Sequence, residues 1–281
     1  MRRFMRALVV LPTYNEAENV LPLGADVLAR DARIDVLVVD DNSPDGTGDL
    51  VEAARRDQPR LHLLRRPGKL GLGTAYLAGF RHALERDYDR VLTMDCDYSH
   101  HPRYLPHMLE VAAEADLVIG SRYVAGGGVA NWPLRRRALS RFANLYTRWL
   151  LRVPVRDCTA GFRCYSRTVL EAIDPFGVRA SGYSFLEEMV WRVHHAGFSI
   201  REIPIVFEDR RRGSSKIDQV EIFRAARHVL ITAFRRPSIS RAPRAALPPP
   251  RRSTADRRPP PRAGGRRAAE SGRTRRRVRR R

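Results

Sequence analysis

The sequence predicts an α/β protein: a mostly parallel sheet covered by helices, forming one domain over residues 1–235, with a disordered basic tail over 236–281. Three observations predict this. Short apolar or β-branched runs alternate with helical patterns through the first 120 residues, which is how parallel strands joined by crossover helices are written in sequence. Hydrophobic residues make up 43% of 281, enough for a sizeable core. The net charge of +21 is also unevenly placed. Residues 236–281 hold 17 Arg against one Asp and one Glu, a net +15, leaving +6 for the rest. That segment also carries 8 of the 19 prolines and almost no large apolar residues, so it cannot bury enough surface to offset chain entropy.

The elements follow in order. Strands are expected at 7–11, 35–40, 61–64, 90–94 and 117–120, each a short run rich in Val, Ile and Leu. Helices are expected between them at 16–30, 48–57, 73–85 and 102–114. In the third, Leu77, Phe80, Ala83 and Leu84 mark one face. After residue 120 the pattern changes. Gly126-Gly127-Gly128 is a flexible loop, 134–151 reads as a helix, and 157–165 is a turn-rich stretch leading into a strand. A helix over 184–195 precedes a strand over 198–207, broken at Pro204. An amphipathic helix closes the domain within about 217–235. Ile222, Phe223, Ala226, Val229, Leu230, Ala233 and Phe234 fall on one side of it and most of its charges on the other.

Several classes are excluded. Three cysteines with no C-x-x-C spacing give neither a disulfide framework nor a zinc site and fit a reducing compartment. No run of 18 apolar residues occurs, so no membrane span is expected. The start, basic and then apolar for about six residues, reads as a first buried strand rather than a signal peptide. Pro-Thr-Tyr-Asn-Glu after the first strand replaces a dinucleotide-binding glycine fingerprint, and no phosphate-binding P-loop is present.

In open parallel sheets ligands bind beyond the carboxyl ends of the strands. Those positions are Pro12 to Glu16, Asp40 to Ser43, Asp95-Cys96-Asp97 and Ser121 to Tyr123. Three of the four carry acids and the fourth carries Arg122. Asp95 and Asp97 flank a single residue and can meet one hard cation, which would bridge them to substrate phosphates. Alone, such a triplet is usually a solvated turn; its place at a strand end separates it from that background. Of Asp40 and Asp41, one can cap the next helix while the other meets a ligand. Arg122 and the run Asp209 to Lys216 supply cations suited to phosphate.

Taken together these motifs resemble the inverting family 2 glycosyltransferases of the GT-A fold, and within them the dolichol-phosphate or polyprenol-phosphate mannose synthases. The segments that carry the resemblance are Leu11-Pro-Thr-Tyr-Asn-Glu16, Val38-Val-Asp-Asp-Asn-Ser-Pro-Asp-Gly-Thr47, Lys69-Leu-Gly-Leu-Gly-Thr-Ala-Tyr76, Met94-Asp-Cys-Asp-Tyr-Ser-His-His-Pro102 and Asp209-Arg-Arg-Arg-Gly-Ser-Ser-Lys216. It spans about residues 6–235. The resemblance implies transfer of mannose from GDP-mannose to a polyprenyl phosphate, with inversion and with Mg2+ or Mn2+. It places the donor on Pro12, Tyr14, Glu16, Val39, Asp41, Asp95, Cys96 and Asp97, and the metal on Asp95, Asp97 and Ser99. Arg122, Arg210 and Lys216 fall on phosphate contacts, and with Asp97 they form the catalytic set. Arg136 and Ser140, with Arg122 and Arg210, fall on the acceptor phosphate.

The sequence departs from that family in places. Cys96 stands where Ala is usual between the two acids. Ser99 stands where some members have Gln, and Leu186 where a Gln is common before Glu188. Fused transmembrane helices found in some members have no counterpart here. Attachment to the cytoplasmic face of a membrane is therefore expected through the 221–235 helix and the basic tail, with a membrane-embedded partner protein as a further possibility. A phosphate acceptor is already anionic near neutrality, which accords with the lack of a Ser/His/Asp constellation. Two alternatives stay open on the sequence: a glucosyltransferase of the same fold using UDP-glucose, and a basic nucleic-acid-binding protein. The concentration of charge in the tail and the lack of a recognisable nucleic-acid module argue against nucleic acid as a partner.

Overall fold

The computed structural model describes residues 5–178, 182–208 and 219–235, all within a compact unit of residues 1–244. The expected tail at 236–281 and the expected phosphate contacts Arg210 and Lys216 lie outside the described residues.

The first half follows the sequence closely: β1 (Ala7–Thr13), α1 (Val20–Arg30), β2 (Ile34–Asp40), α2 (Thr47–Ala54), β3 (Leu61–Arg65), α3 (Leu72–Glu85), β4 (Arg90–Thr93), α4 (Leu105–Val111) and β5 (Leu117–Ser121). The helix expected at 102–114 begins as a single 3-10 turn, Pro102–Tyr104, since Pro102 and Pro106 restrict its start. The helix expected from Glu16 starts instead at Val20, because 16–19 are spent on a turn tied to the next loop.

Strands run in the order β3-β2-β1-β4-β7-β5-β8. Burial alternates with the pleat. Leu8 and Val10 of β1 join the core on one face, and Ala7, Val9 and Leu11 join the other. Helices α1, α2 and α4 cover the second face, and α3 covers the first. Contact between α3 and β1 is close at Gly79, where a Cβ would stand 2.5 Å from Val10 Cγ1.

The second half holds what the first does not prefigure. After β6 (Gly128–Val129), α5 (Leu134–Leu151) and β7 (Arg163–Ser166), the chain forms α6 (Arg167–Ala172), α7 (Tyr183–His195), β8 (Ile200–Pro204), β9 (Val206–Phe207) and α8 (Gln219–Ala233). β7 runs antiparallel to both β4 and β5 and sits between them, so the sheet is mostly parallel with one reversed strand. Its arrival brings the 157–161 loop to the edge where β4 ends. The break at Pro204 divides the expected 198–207 strand in two. β8 stays in the main sheet, whereas β9 leaves to pair with β6. α8 packs on α5 and α7.

Candidate active site

β1, β2 and β4 are parallel, so their carboxyl ends share one edge; Thr13 lies opposite Asp40, and Val10 opposite Thr93. Successive connections leave β1 toward β2 and return through β4 on its other side, the reversal at which α/β sheets open a crevice. There the structure forms a cavity of about 590 Å³. Pro12, Tyr14, Glu16, Asp41, Asp95, Cys96, Asp97, Arg122, Arg136 and Ser140 all line it.

The two acids after β2 divide the labour. Asp40 organises the edge: Oδ1 accepts from Thr13 Oγ1 at 3.0 Å and from Ser43 Oγ at 2.6 Å, and Oδ2 accepts from the Ser43 amide. Asp41 faces the cavity. It pairs with Arg66 and accepts from the Leu70 amide at 3.1 Å, which anchors the Lys69–Leu70 turn. That turn lays the Lys69 ammonium 4.4 Å from the centre of the Tyr14 ring. Amides of Asn15, Glu16 and Ala17 bond to Ser43, Thr47 and Asp45, so the loops after β1 and β2 hold each other. Val39, placed by resemblance among donor contacts, has its side chain fully buried in the core beneath, so only its backbone is near this edge.

At the end of β4, Asp95 accepts from Tyr76 Oη at 3.3 Å, and its own amide donates to His100 Nδ1 at 3.0 Å. That bond makes Nδ1 the unprotonated nitrogen. Burial likewise pushes the His100 pKa down, so a neutral imidazole stacks on Phe162. Asp97 is buried and its Oδ1 accepts from the Ser99 amide at 3.0 Å and from Ser99 Oγ at 2.5 Å. Ser99, placed as a further metal ligand, does not line the cavity; its hydroxyl is given to Asp97, which it orients. Cys96 packs into the core below, and burial drives its thiol pKa well up, so it is no nucleophile. Gly161 backs the pair, since a Cβ there would come 3.8 Å from Asp95 Oδ1.

The donor chemistry of this end fits a hard cation. Asp95 and Asp97 both reach the cavity, and no set of three or more His, Cys, Asp or Glu capable of closing around a metal occurs among the described residues. Two carboxylates with the remaining positions left to substrate oxygens and water are what Mg2+ or Mn2+ takes.

Arg122 does not stand alone at the wall. Asp157 accepts from its Nε, Nη2 and backbone amide at 2.6 to 2.9 Å, and Thr159 accepts from Nη2 at 2.7 Å. Arg136 stacks 4.0 Å above Trp132, and Ser140 accepts from Tyr123 Oη at 2.6 Å. Farther along, the wall becomes apolar, with Leu139, Phe142 and Tyr146 of α5 facing Ala226 and Val229 of α8. Arg66, Tyr76, Trp132 and Asp157 had no role from the sequence. Tyr76 closes the Lys69–Tyr76 motif and Asp157 opens the 157–165 stretch, but their partners Asp95 and Arg122 lie 19 and 35 residues away, so no local pattern marks those contacts.

Comparison with known proteins agrees with this geometry. The model of glycosyl transferase family 2 matches residues 8–174. A polyprenol monophosphomannose synthase of Mycolicibacterium smegmatis is 49% identical over 219 residues, covering 77% of this chain and 83% of that protein. An undecaprenyl-phosphate mannosyltransferase of Micrococcus luteus is 48% identical over 215 residues, covering 76% and 88%. Among solved structures, glucosyl-3-phosphoglycerate synthase of Mycobacterium tuberculosis, in complex with Mn2+, UDP and phosphoglyceric acid, superposes with a TM-score of 0.60 at 16% identity, covering 84% of this chain and 81% of that one. A mannosyltransferase of Pyrobaculum calidifontis, in complex with GDP-Man and Mn2+, gives 0.53 at 18% identity, covering 83% and 64%. These neighbours carry the fold alone, which is the GT-A arrangement. From the family match and the two close relatives, the chain belongs to glycosyl transferase family 2.

Proposed function

We propose that the protein transfers mannose from GDP-mannose to a polyprenyl phosphate with inversion, giving a β-linked polyprenyl phosphomannose. The observation that carries this reading is a single cavity with two unlike ends. One end is lined by Tyr14, Lys69, Asp41, Asp95 and Asp97; the other runs between α5 and α8 along Leu139, Phe142, Ala226 and Val229. A nucleotide sugar suits the first and an isoprenoid chain the second, and the names of the two close relatives favour mannose and a polyprenyl acceptor.

Asp95 and Asp97 would hold Mg2+ or Mn2+, which supplies positive charge against the departing diphosphate. Tyr14 and Lys69 offer a flat and cationic surface for the nucleotide. Arg122, oriented by Asp157, and Arg136 with Ser140 bring two guanidinium groups and a hydroxyl toward the acceptor phosphate. An anionic phosphate needs no strong base to attack, so the residues are asked mainly to bring two anions into line. His100, neutral and committed through Nδ1, is a positioning group for Asp95. Arg210 and Lys216 join the phosphate contacts in this reading on their place in the motif.

An acceptor of this kind brings the enzyme to a membrane, and we place it at the cytoplasmic face. α5 turns Leu134, Phe142, Leu145 and Trp149 outward, with Trp149 76% exposed, and α8 adds Phe223, with Phe234 just beyond its end. Arg135, Arg141 and Arg148 are exposed on the same helix, suited to anionic headgroups. None of the described helices is long and apolar enough to cross a membrane.

The test is transfer of radiolabelled sugar into organic-extractable lipid by purified full-length protein with polyprenyl phosphate in detergent. Label from GDP-mannose that disappears with EDTA is the expected result. Label from UDP-glucose alone would overturn the donor.

A further inference from the structure

Glu187, near the start of α7, is a wall residue of this cavity that none of the roles above uses. It is 4% exposed. Its Oε1 accepts from Thr147 Oγ1 of α5 at 2.9 Å, while its Oε2 is buried with no hydrogen-bond partner among the described residues. A buried polar oxygen left without a partner is costly to maintain and uncommon, unless a bound molecule completes it.

Its position along the cavity is set by Arg163, which is fully buried on β7. Arg163 Nη1 donates to the Leu186 carbonyl at 2.7 Å and its Nε donates to the Ala160 carbonyl at 2.8 Å. The start of α7 is thereby tied to Ala160–Gly161, and Gly161 stands behind Asp95. Glu187 is therefore held where the Asp95 end gives way to the apolar groove of α5 and α8. Of a polyprenyl phosphate, the phosphate is the polar part that a group at this junction can meet.

The surroundings of Glu187 favour the uncharged acid. Burial pushes its pKa up to about 7, against the lowering effects of Thr147 and Arg163. Within electrostatic reach are Arg163 of β7 and the Cys158 thiol of the preceding loop. α5 contributes Thr147, and α8 contributes the uncharged Ala226 and Val229. The neighbouring Glu188 is engaged by His228 and Arg192.

We propose that Glu187 is a specificity-determining residue for the acceptor lipid: as the neutral carboxylic acid it donates a hydrogen bond from Oε2 to the lipid phosphate at the mouth of the isoprenoid groove. This rests on the polyprenyl phosphate reading of the acceptor. The carboxylate has no proton to donate and repels the phosphate, so acceptor binding holds the proton on Glu187.

Michaelis constants for acceptor and donor, measured from pH 6 to pH 8.5 on the full chain, test this. Wild-type protein should show an acceptor KM that rises about tenfold between pH 6 and pH 8, with donor KM little changed. Glu187→Gln keeps an N–H donor and carries no charge, so its acceptor KM should track only the ionisation of the phosphate itself. Glu187→Leu should raise acceptor KM about tenfold at pH 6, where the wild-type acid is protonated. Binding of farnesyl phosphate without donor, followed by tryptophan quenching, should repeat these differences, and thermal melts check that both variants fold. A Glu187→Gln profile parallel to wild type, or a Glu187→Leu acceptor KM equal to wild type at pH 6, overturns the proposal. Transfer to polyprenyl phosphate with an acceptor KM indifferent to Glu187 would defeat this inference alone. Farnesyl phosphate binding that tracks Glu187 without mannose transfer would defeat the donor assignment and leave the inference standing.

Discussion

The guanidinium of Arg122 and the carboxylate of Asp157 meet fork to fork at 2.8 and 2.6 Å across 35 residues of sequence. Asp157 is fully buried, and Arg122 is nearly so. The amides of Asp157 and Arg156 donate in turn to Glu202 of β8. The pair thus fixes the loop before β7 against the end of β5, and it fixes the direction of the Arg122 side chain at the cavity wall.

Breaking that pair leaves a buried charge without its partner. Asp157→Ala should cost about 3–5 kcal/mol of stability, read from urea unfolding. Arg122→Lys, which keeps the charge but loses the fork, should lower transfer activity more than stability. Equal unfolding midpoints for Asp157→Ala and wild type would show the pair to be idle.

Asp97 and Ser99 act as a unit. Asp97→Asn should abolish metal-dependent transfer. Ser99→Ala removes one hydrogen bond from the same oxygen and should reduce kcat/KM by about tenfold, with a raised metal requirement. Titration of activity with Mn2+ separates the two. A Ser99→Ala enzyme with an unaltered metal curve would remove Ser99 from the site.

Glu187 links stability to pH. Its ordinary pKa of 4.5 is pushed up to about 7 in the folded protein by burial. Between those values the folded state holds a proton that the unfolded chain has lost. The contribution is therefore intact below about pH 4.5 and declines as pH rises through 7. Glu187→Gln should be neutral at pH 4 and stabilising at pH 8, on the order of 3 kcal/mol. Thermal melts at the two pH values decide it, and a stabilisation independent of pH would refute the linkage.

Packing at Gly79 leaves no room for a methyl group. A Cβ would lie 2.5 Å from Val10 Cγ1 in the middle of the α3–β1 contact. Gly79→Ala should destabilise by about 1–3 kcal/mol despite the better helix propensity of alanine. Denaturant unfolding measures this directly.

Membrane contact through α5 can be separated from catalysis. Replacing both Leu145 and Trp149, exposed on α5 and outside the cavity wall, by Ser should weaken binding to anionic vesicles by tenfold or more. Activity on a short acceptor in detergent should stay within about threefold. Removal of residues 236–281 should make vesicle binding weaker and less sensitive to salt. Vesicle sedimentation reads both, and unchanged binding of the double variant would exclude α5 as the contact.

The strands, helices and acidic strand ends were legible because their signals are local. Val36 to Val39 alternate with the pleat, the 134–151 helix was bounded correctly, and Asp41, Asp95 and Asp97 follow apolar runs at the one edge where such sheets bind ligands. Local chemistry also suggested that Asp40 and Asp41 could part ways, but left open which would meet the ligand. Tertiary structure decided the rest. A four-residue strand at Arg163 carries no mark of its orientation, yet its reversed insertion between β4 and β5 brings Asp157, Gly161 and Glu187 to the site. Ser99 turned toward Asp97, Val39 into the core, and the outward apolar face of α5 became visible only once α8 had covered its other side. Periodicity and strand-end chemistry are properties of neighbouring residues and survive in a string of letters. Which carboxylate finds which guanidinium, and which oxygen is left buried without a partner, depend on contacts between residues tens of positions apart, and only the packed chain brings those together.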